Sequence, residues 1–200
     1  MSIFDAVIQG IIQGLTEFLP VSSSGHLSLY QHFTGNSGEA AGIYSILLHL
    51  GTLLAVAIAF WKELLDMVKE FFSMAKEIFT GKFDRNNMTG SRRLIFLFII
   101  SLLPLCFFYF ISDFYNSLST DNDIVVEGLC FLLTAALLIV SGKCVKEGGS
   151  SAENMSWKQA LGMGIAQGIA PLPGLSRSGS TISTGLILGV SREQAVAFSF

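Results

Sequence analysis

One unusual segment occurs twice in this chain. Residues 6–46 align with residues 160–200 at a constant offset of 154 without a gap, and 13 of the 41 paired positions are identical. Each copy is an apolar run interrupted by a polar cluster rich in Pro, Ser and Gly, at residues 20–26 and 173–179. In membrane proteins, apolar segments interrupted by Gly or Pro at corresponding places of two repeats indicate a binding site. The two clusters are therefore the candidate binding site of this chain.

The composition is that of an integral membrane protein. Charged residues make up 14% of the chain and hydrophobic residues 51%, whereas soluble domains carry about 25% charged residues. The mean hydropathy is +0.60, and the net charge of -3 is too small to indicate a nucleic-acid partner. Three uninterrupted apolar stretches are long enough to cross a bilayer: Ile43–Trp61, Leu94–Ile111 and Ile124–Gly142.

The distribution of Lys and Arg orients these crossings. The connection 62–93 carries seven basic residues, the connection 112–123 carries none and the connection 143–158 carries three. Because cytoplasmic loops are enriched in Lys and Arg, this alternation predicts connections inside, outside and inside. Three crossings separate the two copies, so the copies enter the membrane from opposite sides as an inverted-topology repeat.

We therefore predict an all-α integral membrane protein with an inverted-topology repeat. The first repeat, residues 1–142, contains a re-entrant helical hairpin at 1–35 and an amphipathic helix at 62–80 on the cytoplasmic surface. The second repeat begins at residue 154 with a second re-entrant hairpin. Since the chain stops within an apolar run at residue 200, we expect the closing helices of this repeat to be missing. The two polar clusters would meet near the midplane, where irregular backbone survives only if protein or a wet cavity shields it.

Two further patterns concern the apolar part of each copy. Asp5, Gln9, Gln13 and Glu17 recur every four residues and share one helix face. For Asp5 and Gln9, the pattern leaves open whether the face is turned to water or has a functional role. For Gln13 and Glu17, which lie beside the cluster, a functional role is favoured. A carboxylate at membrane depth costs about 2.5 kcal/mol or more without a partner. Glycines spaced by four residues predict close helix packing in both copies: Gly10 with Gly14, and Gly164 with Gly168.

Together, the two clusters have the chemistry of a phosphate site. Helices that begin at the clusters would turn first-turn N–H groups toward an anion, and an Arg fork matches phosphate geometry. The alternatives are an ion pair between Arg177 and Glu17 and, for the serines, helix capping. The clusters offer hydroxyl groups, glycines, a histidine and an arginine: Ser22, Ser23, Ser24, Ser176, Ser178, Thr181, Gly25, Gly174, Gly179, His26 and Arg177.

Glu17 and His26 add reactivity to this anion site. A carboxylate beside a phosphate is either a divalent-metal ligand or a general base, and histidine transfers protons near neutral pH. A serine near His26 is then a candidate nucleophile. His49, in the first crossing, is interpreted as a helix-packing or hydrogen-bonded histidine, and its orientation toward the same cavity is left open. These residues leave two function classes: a hydrolase, or an inverted-repeat transporter or flippase for an anionic or phospholipid-like substrate.

Two long motifs carry a family resemblance: QGLTEFLPVSSSGH at residues 13–26 and PGLSRSGST at residues 173–181. They resemble the (E/Q)-x-x-x-E motif joined to P-V-S-S-[ST]-G-H, and the P-G-x-S-R-S-x-x-T motif, of the undecaprenyl-diphosphate phosphatase family, also called the bacitracin-resistance family. The similarity runs along the whole chain and includes HLGTLLA at residues 49–55. This resemblance favours the hydrolase over the transporter.

The resemblance implies an enzyme of the bacterial plasma (inner) membrane with an active site accessible from the outer side. The enzyme would hydrolyse undecaprenyl pyrophosphate, an isoprenoid pyrophosphate lipid, to undecaprenyl phosphate and inorganic phosphate. This reaction recycles the carrier lipid of peptidoglycan synthesis and confers bacitracin resistance. A divalent cation, Mg²⁺ or Ca²⁺, is implied as cofactor, and homo-oligomerisation is left open.

The resemblance also implies roles for individual residues. Gln13 and Glu17 form the metal or acid–base motif, and Ser23 and His26 are the candidate nucleophile and its proton-transfer partner. Arg177 holds the pyrophosphate. Many relatives have Glu where this chain has Gln13, which leaves Glu17 as the main charged metal ligand. The remaining substrate-binding positions are Ser22, Ser24, Gly25, Gly174, Ser176, Ser178 and Thr181.

Overall fold

A computed structural model describes residues 2–35, 39–82, 89–111, 124–145 and 147–200. Apart from a parallel bridge between Ser150 and Val190, these residues form helices and loops, as predicted. The helices of the described residues are α1 (Ile3–Phe18), α2 (Ser23–Thr34), α3 (Glu39–Ala59), α4 (Trp61–Phe79), α5 (Gly90–Tyr109), α6 (Val125–Cys144), α7 (Trp157–Ile169), α8 (Arg177–Ile187) and α9 (Arg192–Ser199).

Three of these helices are long and apolar enough to cross a membrane: α3 over Gly42–Ala59, α5 over Gly90–Tyr109 and α6 over Val125–Cys144. They coincide with the three predicted crossings to within a few residues. Large apolar side chains are exposed along all three helices, among them Leu53 and Leu132. Apolar surface of this extent is stable against lipid tails, so the chain is a membrane protein with an all-α fold.

The first hairpin is formed by α1 and α2, which run antiparallel. Tyr30 on α2 donates to Asp5 Oδ1 at 3.1 Å, and Gln31 Nε2 donates to Gln9 Oε1 at 2.9 Å. The polar stripe of α1 therefore faces α2, and Gln9 and Gln13 are 0% and 1% exposed. The interpretation of this face as turned to water is wrong at Gln9, because amide groups of α2 satisfy it instead.

The second hairpin, α7 with α8, repeats the construction of the first. A capping box starts both hairpins, formed by Ser2 with Asp5 and by Ser156 with its N3 residue, Gln159. Both second helices are followed by a glycine with positive φ, Gly35 at 68° directly after α2 and Gly189 at 83° two residues after the end of α8. Helices of 11 to 16 residues are about 17–24 Å long, shorter than a hydrocarbon core of about 30 Å. Their insertion as re-entrant hairpins from opposite faces stays a prediction.

The two hairpins differ in how they pack. On Gly164, a Cβ would lie 2.2 Å from the Ser101 carbonyl oxygen, and on Gly168 it would lie 2.1 Å from Phe108 Cδ2, so α7 approaches α5 as closely as predicted. A Cβ on Gly10 would meet Leu48 only at 3.8 Å, and one on Gly14 meets nothing within 4 Å. Close packing at this first glycine pair is therefore a wrong prediction for the described residues.

The amphipathic segment predicted at 62–80 is helix α4. Arg92, at the start of α5, ties α4 to the bundle through Glu70 at 2.6 Å and both carboxyl oxygens of Glu77 at 2.8 Å. The hydrogen bond from Arg92 holds the pKa of Glu77 below its ordinary value. The position of α4 on the cytoplasmic surface stays a prediction. Part of the charge pattern that predicts the topology lies outside the described residues: the acidic connection 112–123, Arg85 and Lys146.

Candidate active site

The tips of the two hairpins are in direct contact. A Cβ on Gly25 would lie 2.7 Å from Phe131 Cζ and 2.8 Å from Gly174 Cα. In the opposite direction, a Cβ on Gly179 would lie 2.8 Å from the Pro20 carbonyl oxygen. Only glycine fits where the backbones approach this closely. The close contact between the tips accounts for Gly25, whereas Gly174 has φ 84° and a Cβ on it would lie 2.6 Å from the Glu127 Cα on α6. The predicted contacts of both glycines with substrate stay predictions.

A pocket with a volume of about 150 Å³ lies between the two tips. The first turns of α2 and α8 both border it, so two helix N-termini with their positive dipole ends meet in one place. The lining residues come from both hairpins and from α3: Thr16, Glu17, Ser22, Ser23, Ser24, His49, Ala170, Leu175, Ser176, Arg177 and Ser178.

Equivalent serines cap the two helices that begin at the pocket. Ser22 Oγ accepts from the Gly25 backbone N–H at 3.3 Å, and Ser176 Oγ accepts from the Gly179 N–H at 3.0 Å. The capping interpretation is thus confirmed for both serines. Their backbones differ, because Ser22 has φ 68° and Ser176 has φ -74°. Among the described residues, Ser22 is the only one other than glycine with a positive φ. This conformation costs about 1–3 kcal/mol and is typical of functional sites.

Glu17 connects the two hairpins within the pocket. Its Oε2 accepts hydrogen bonds from Ser23 Oγ at 2.5 Å and from Gln13 Nε2 at 3.0 Å. Its Oε1 lies 3.4 Å from Arg177 Nη2. The carboxylate is 16% exposed and the guanidinium side chain 45% exposed, so Arg177 keeps surface for a second anion. An acidic and a basic group from different hairpins therefore share one cavity, as the sequence predicted.

Residues behind the pocket hold Arg177 in place. Arg177 Nη1 donates to the Ser199 carbonyl oxygen at 2.9 Å, and the Ser199 hydroxyl is hydrogen-bonded to Thr181 Oγ1 at 2.5 Å. Thr181 is 2% exposed and is not among the residues that line the pocket. The structure therefore places Thr181 as a support of Arg177. Sequence reasoning missed Ser199, although its identity with Ser45 at the offset of 154 was a usable signal.

The candidate nucleophile and His26 are not paired. His26 Nδ1 is hydrogen-bonded to the Ser22 carbonyl oxygen at 2.8 Å, and its ring packs edge-on against Phe131 with centroids 5.0 Å apart. Among the described residues, the hydroxyl of Ser23 bonds to Glu17, not to this imidazole. Glu17 is consequently the base within reach of the serine. The role of His26 in proton transfer stays a prediction.

His49 lines the pocket, which is the orientation that the sequence left open, and it is also hydrogen-bonded, as one of its two interpretations had it. It lies on α3, outside both hairpins. Its Nδ1 is hydrogen-bonded to the Ser45 carbonyl oxygen at 2.8 Å, and its Nε2 lies 4.0 Å from Glu17 Oε2. Helical periodicity does not say which neighbour a helix face meets, so the sequence left this orientation open.

The oxygen donors beside Glu17 fit one end of a divalent-cation site. Among the described residues, no cluster of three or more His, Cys, Asp or Glu side chains surrounds a common point. Gln13 Oε1, however, is buried without a hydrogen-bond partner, and an amide flip exchanges it with the nitrogen that contacts Glu17. A carboxylate with few further protein ligands suits cations that take their remaining ligands from water and substrate phosphates.

Comparison with known proteins shows the family of this chain. The family described as bacitracin resistance protein BacA matches residues 6–200. An undecaprenyl-diphosphatase of Alkaliphilus metalliredigens is 40% identical over the whole chain, which covers 72% of that relative. Those of Rubrobacter xylanophilus and Bacteroides fragilis are each 39% identical over the whole chain, which covers 71% and 70% of their lengths. The chain belongs to the bacitracin resistance protein BacA family.

Proposed function

We propose that this protein hydrolyses undecaprenyl pyrophosphate to undecaprenyl phosphate and inorganic phosphate. The observation that carries the proposal is the shared pocket in which Glu17, hydrogen-bonded to Ser23, lies 3.4 Å from Arg177. A base, a hydroxyl nucleophile and a guanidinium are the groups that phosphoanhydride hydrolysis requires. The relatives named above are undecaprenyl-diphosphatases, which supports this substrate.

Ser23 is the nucleophile in this proposal. Its Oγ forms a bond to the terminal phosphorus while the bond from that phosphorus to the bridging oxygen breaks, which releases undecaprenyl phosphate. The hydroxyl proton passes to Glu17 Oε2, 2.5 Å away. Glu17 then passes this proton to the departing undecaprenyl phosphate and is a carboxylate again. In the second step Glu17 takes a proton from a water, whose hydroxide bonds to the phosphorus of the phosphoserine while the bond from phosphorus to Oγ breaks. Inorganic phosphate leaves, and Glu17 returns the proton to Oγ, which restores the Ser23 hydroxyl and the carboxylate.

Arg177 and the two helix N-termini stabilise the charge on the transferred phosphoryl group. The guanidinium fork binds two phosphate oxygens, and first-turn N–H groups of α2 and α8 add donors aimed into the pocket. Ser24, Ser176 and Ser178 line the same space with hydroxyl groups. Preorganised donors of this kind are the main source of catalysis in phosphoryl transfer.

A divalent cation, Mg²⁺ or Ca²⁺, would be held by Glu17 and by the flipped Oε1 of Gln13. When bound, it neutralises negative charge shared by the carboxylate and the diphosphate. The lipid tail stays in the bilayer beside the apolar helices, while the head group enters the pocket between the hairpin tips. Access from the outer side of the plasma membrane, and recycling of the carrier lipid, complete the proposal.

Release of inorganic phosphate from undecaprenyl pyrophosphate by the purified protein in detergent micelles tests this function. We expect turnover with Mg²⁺ or Ca²⁺, loss of turnover after chelation, and loss in Arg177→Ala. A matched control is Ser180→Ala on the same helix, because the Ser180 hydroxyl is buried and has no hydrogen-bond partner among the described residues. Movement of an anion across protein-containing vesicles without phosphate release would contradict the phosphatase and favour the transporter.

A further inference from the structure

His49 has a ring orientation that is typical of a metal ligand. A carbonyl oxygen has no hydrogen to give, so the hydrogen bond to Ser45 places the ring hydrogen on Nδ1. The neutral ring then presents the lone pair of Nε2 to the pocket. Histidines that bind metals almost always donate their other ring N–H to a carboxylate or a backbone carbonyl, which fixes this tautomer. On the α3 side of the pocket, His49 therefore has the orientation that a cation ligand requires.

Two electron-pair donors, His49 and Glu17, lie side by side in the lining of the pocket, and a third, Gln13, is buried next to Glu17. His49 Nε2 lies 4.0 Å from Glu17 Oε2, a separation too long for a hydrogen bond. The same carboxyl oxygen contacts the amide of Gln13, which is 1% exposed and has an unpartnered oxygen. A buried acceptor without a donor is costly. With the Gln13 amide flipped so that its oxygen faces Glu17, one divalent cation would take a lone pair each from the imidazole, the carboxylate and the amide.

We propose that His49 Nε2 is a direct ligand of the divalent cation at this site, together with Glu17 and Gln13. This inference rests on the cation of the proposed function and adds a nitrogen ligand to it. Imidazole favours transition-metal ions, whereas Ca²⁺ takes oxygen ligands. The site therefore accepts Mn²⁺ or Zn²⁺ more tightly than Ca²⁺.

Pulsed electron paramagnetic resonance of the purified protein loaded with Mn²⁺ alone tests the ligand directly. We expect a ¹⁴N coupling to bound Mn²⁺ in the unaltered protein. The coupling should disappear in His49→Gln, with Mn²⁺ affinity weakened by at least about tenfold. The chain has three histidines, so His26→Gln and His32→Gln are matched controls, and both should keep the coupling. Zn²⁺ should displace Mn²⁺ at lower concentration than Ca²⁺ does.

Several results would overturn the assignment. Mn²⁺ that binds in a Glu17-dependent manner without ¹⁴N coupling would show that the ligands are oxygen atoms only. A coupling that survives in His49→Gln, or an absence of saturable Mn²⁺ binding, would also overturn it and would favour an ion pair between His49 and Glu17. Phosphate release measured on the same samples separates this test from that of the proposed function, because Mn²⁺ coordination requires no turnover.

Discussion

The two hairpins have the same construction and different chemistry. Each begins at a capping box, breaks, restarts at a capping serine and ends at a glycine with positive φ. The alignment of the copies, however, pairs Ser23 with Arg177 and Glu17 with Pro171. The first hairpin thus supplies the carboxylate and the hydroxyl, and the second supplies the guanidinium group. The repeat provides the geometry, and its divergence provides the complementary charges, so neither copy is a site by itself.

The hairpins also differ in their surroundings. The second hairpin contributes fully buried residues to the main apolar core, including Ala160 at 0% and Met163 at 1% exposure. On the first hairpin, Ile11 and Leu15 of α1 are exposed, and its tip contains the strained residue Ser22. We conclude that the second hairpin positions Arg177 on a rigid base, while the first presents the reacting groups.

The largest expected effect comes from removing the charged group that each hairpin supplies. Arg177→Ala and Glu17→Ala should each lower phosphate release by on the order of 100- to 1,000-fold, the cost of one charge-stabilising group in a transition state. Arg177→Lys should recover part of the rate, because it keeps the charge without the fork. Normal turnover by either alanine variant, with correct membrane insertion, would show that the charged group of that hairpin is not required for the reaction. Thermal unfolding in detergent separates lost chemistry from lost folding.

A repeat-equivalent glycine pair should respond very differently to alanine. Gly168→Ala places a methyl group 2.1 Å from Phe108 and should destabilise the protein by about 1–3 kcal/mol through overpacking. Gly14→Ala meets open space and should stabilise by up to about 1 kcal/mol, the difference in helix propensity. Unfolding midpoints of the two variants measure this contrast. Equal shifts would show that both hairpins pack alike.

The two capping serines should give opposite signs on substitution by glycine. Ser22→Gly relieves the positive φ and, because glycine is itself a tolerable cap, should raise the stability by up to about 1 kcal/mol. Ser176→Gly relieves no strain and should lower the stability by about 0.5–1 kcal/mol, chiefly through backbone entropy, because glycine is a tolerable cap here as well. Denaturation in detergent measures both. Destabilisation of similar size at both positions would show that the positive φ of Ser22 carries no strain.

A smaller effect is expected from the support of Arg177. Ser199→Ala removes the hydroxyl bonded to Thr181 and should raise KM by about three- to tenfold with less change in kcat, corresponding to one net hydrogen bond. Ser199→Thr should restore KM. The repeat partner, Ser45→Ala, is the control, since its hydroxyl accepts one weak contact of 3.4 Å from Gln31. Unchanged KM in Ser199→Ala would show that Arg177 is held by the carbonyl alone.

Much of this fold follows from local sequence signals. Apolar runs of 18 or 19 residues predict α3, α5 and α6 because bilayer thickness fixes their length. The meeting of Glu17 and Arg177 follows from the repeat, since charges of opposite sign at membrane depth, beside the matching clusters of the two copies, need each other. The burial of Gln9, the pocket-facing side of His49 and the support by Ser199 depend on which helices become neighbours. Periodicity within one helix does not contain that information.

A double-mutant cycle on phosphate release tests the shared pocket most directly, with Glu17→Gln and Arg177→Lys as the mild single variants. If both groups act on one diphosphate, the two substitutions are coupled, by about 1 kcal/mol or more for residues in contact. We predict that the double variant loses less activity than the product of the single losses, by about fivefold or more. Losses that multiply within experimental error would place the two groups in separate sites and contradict the account.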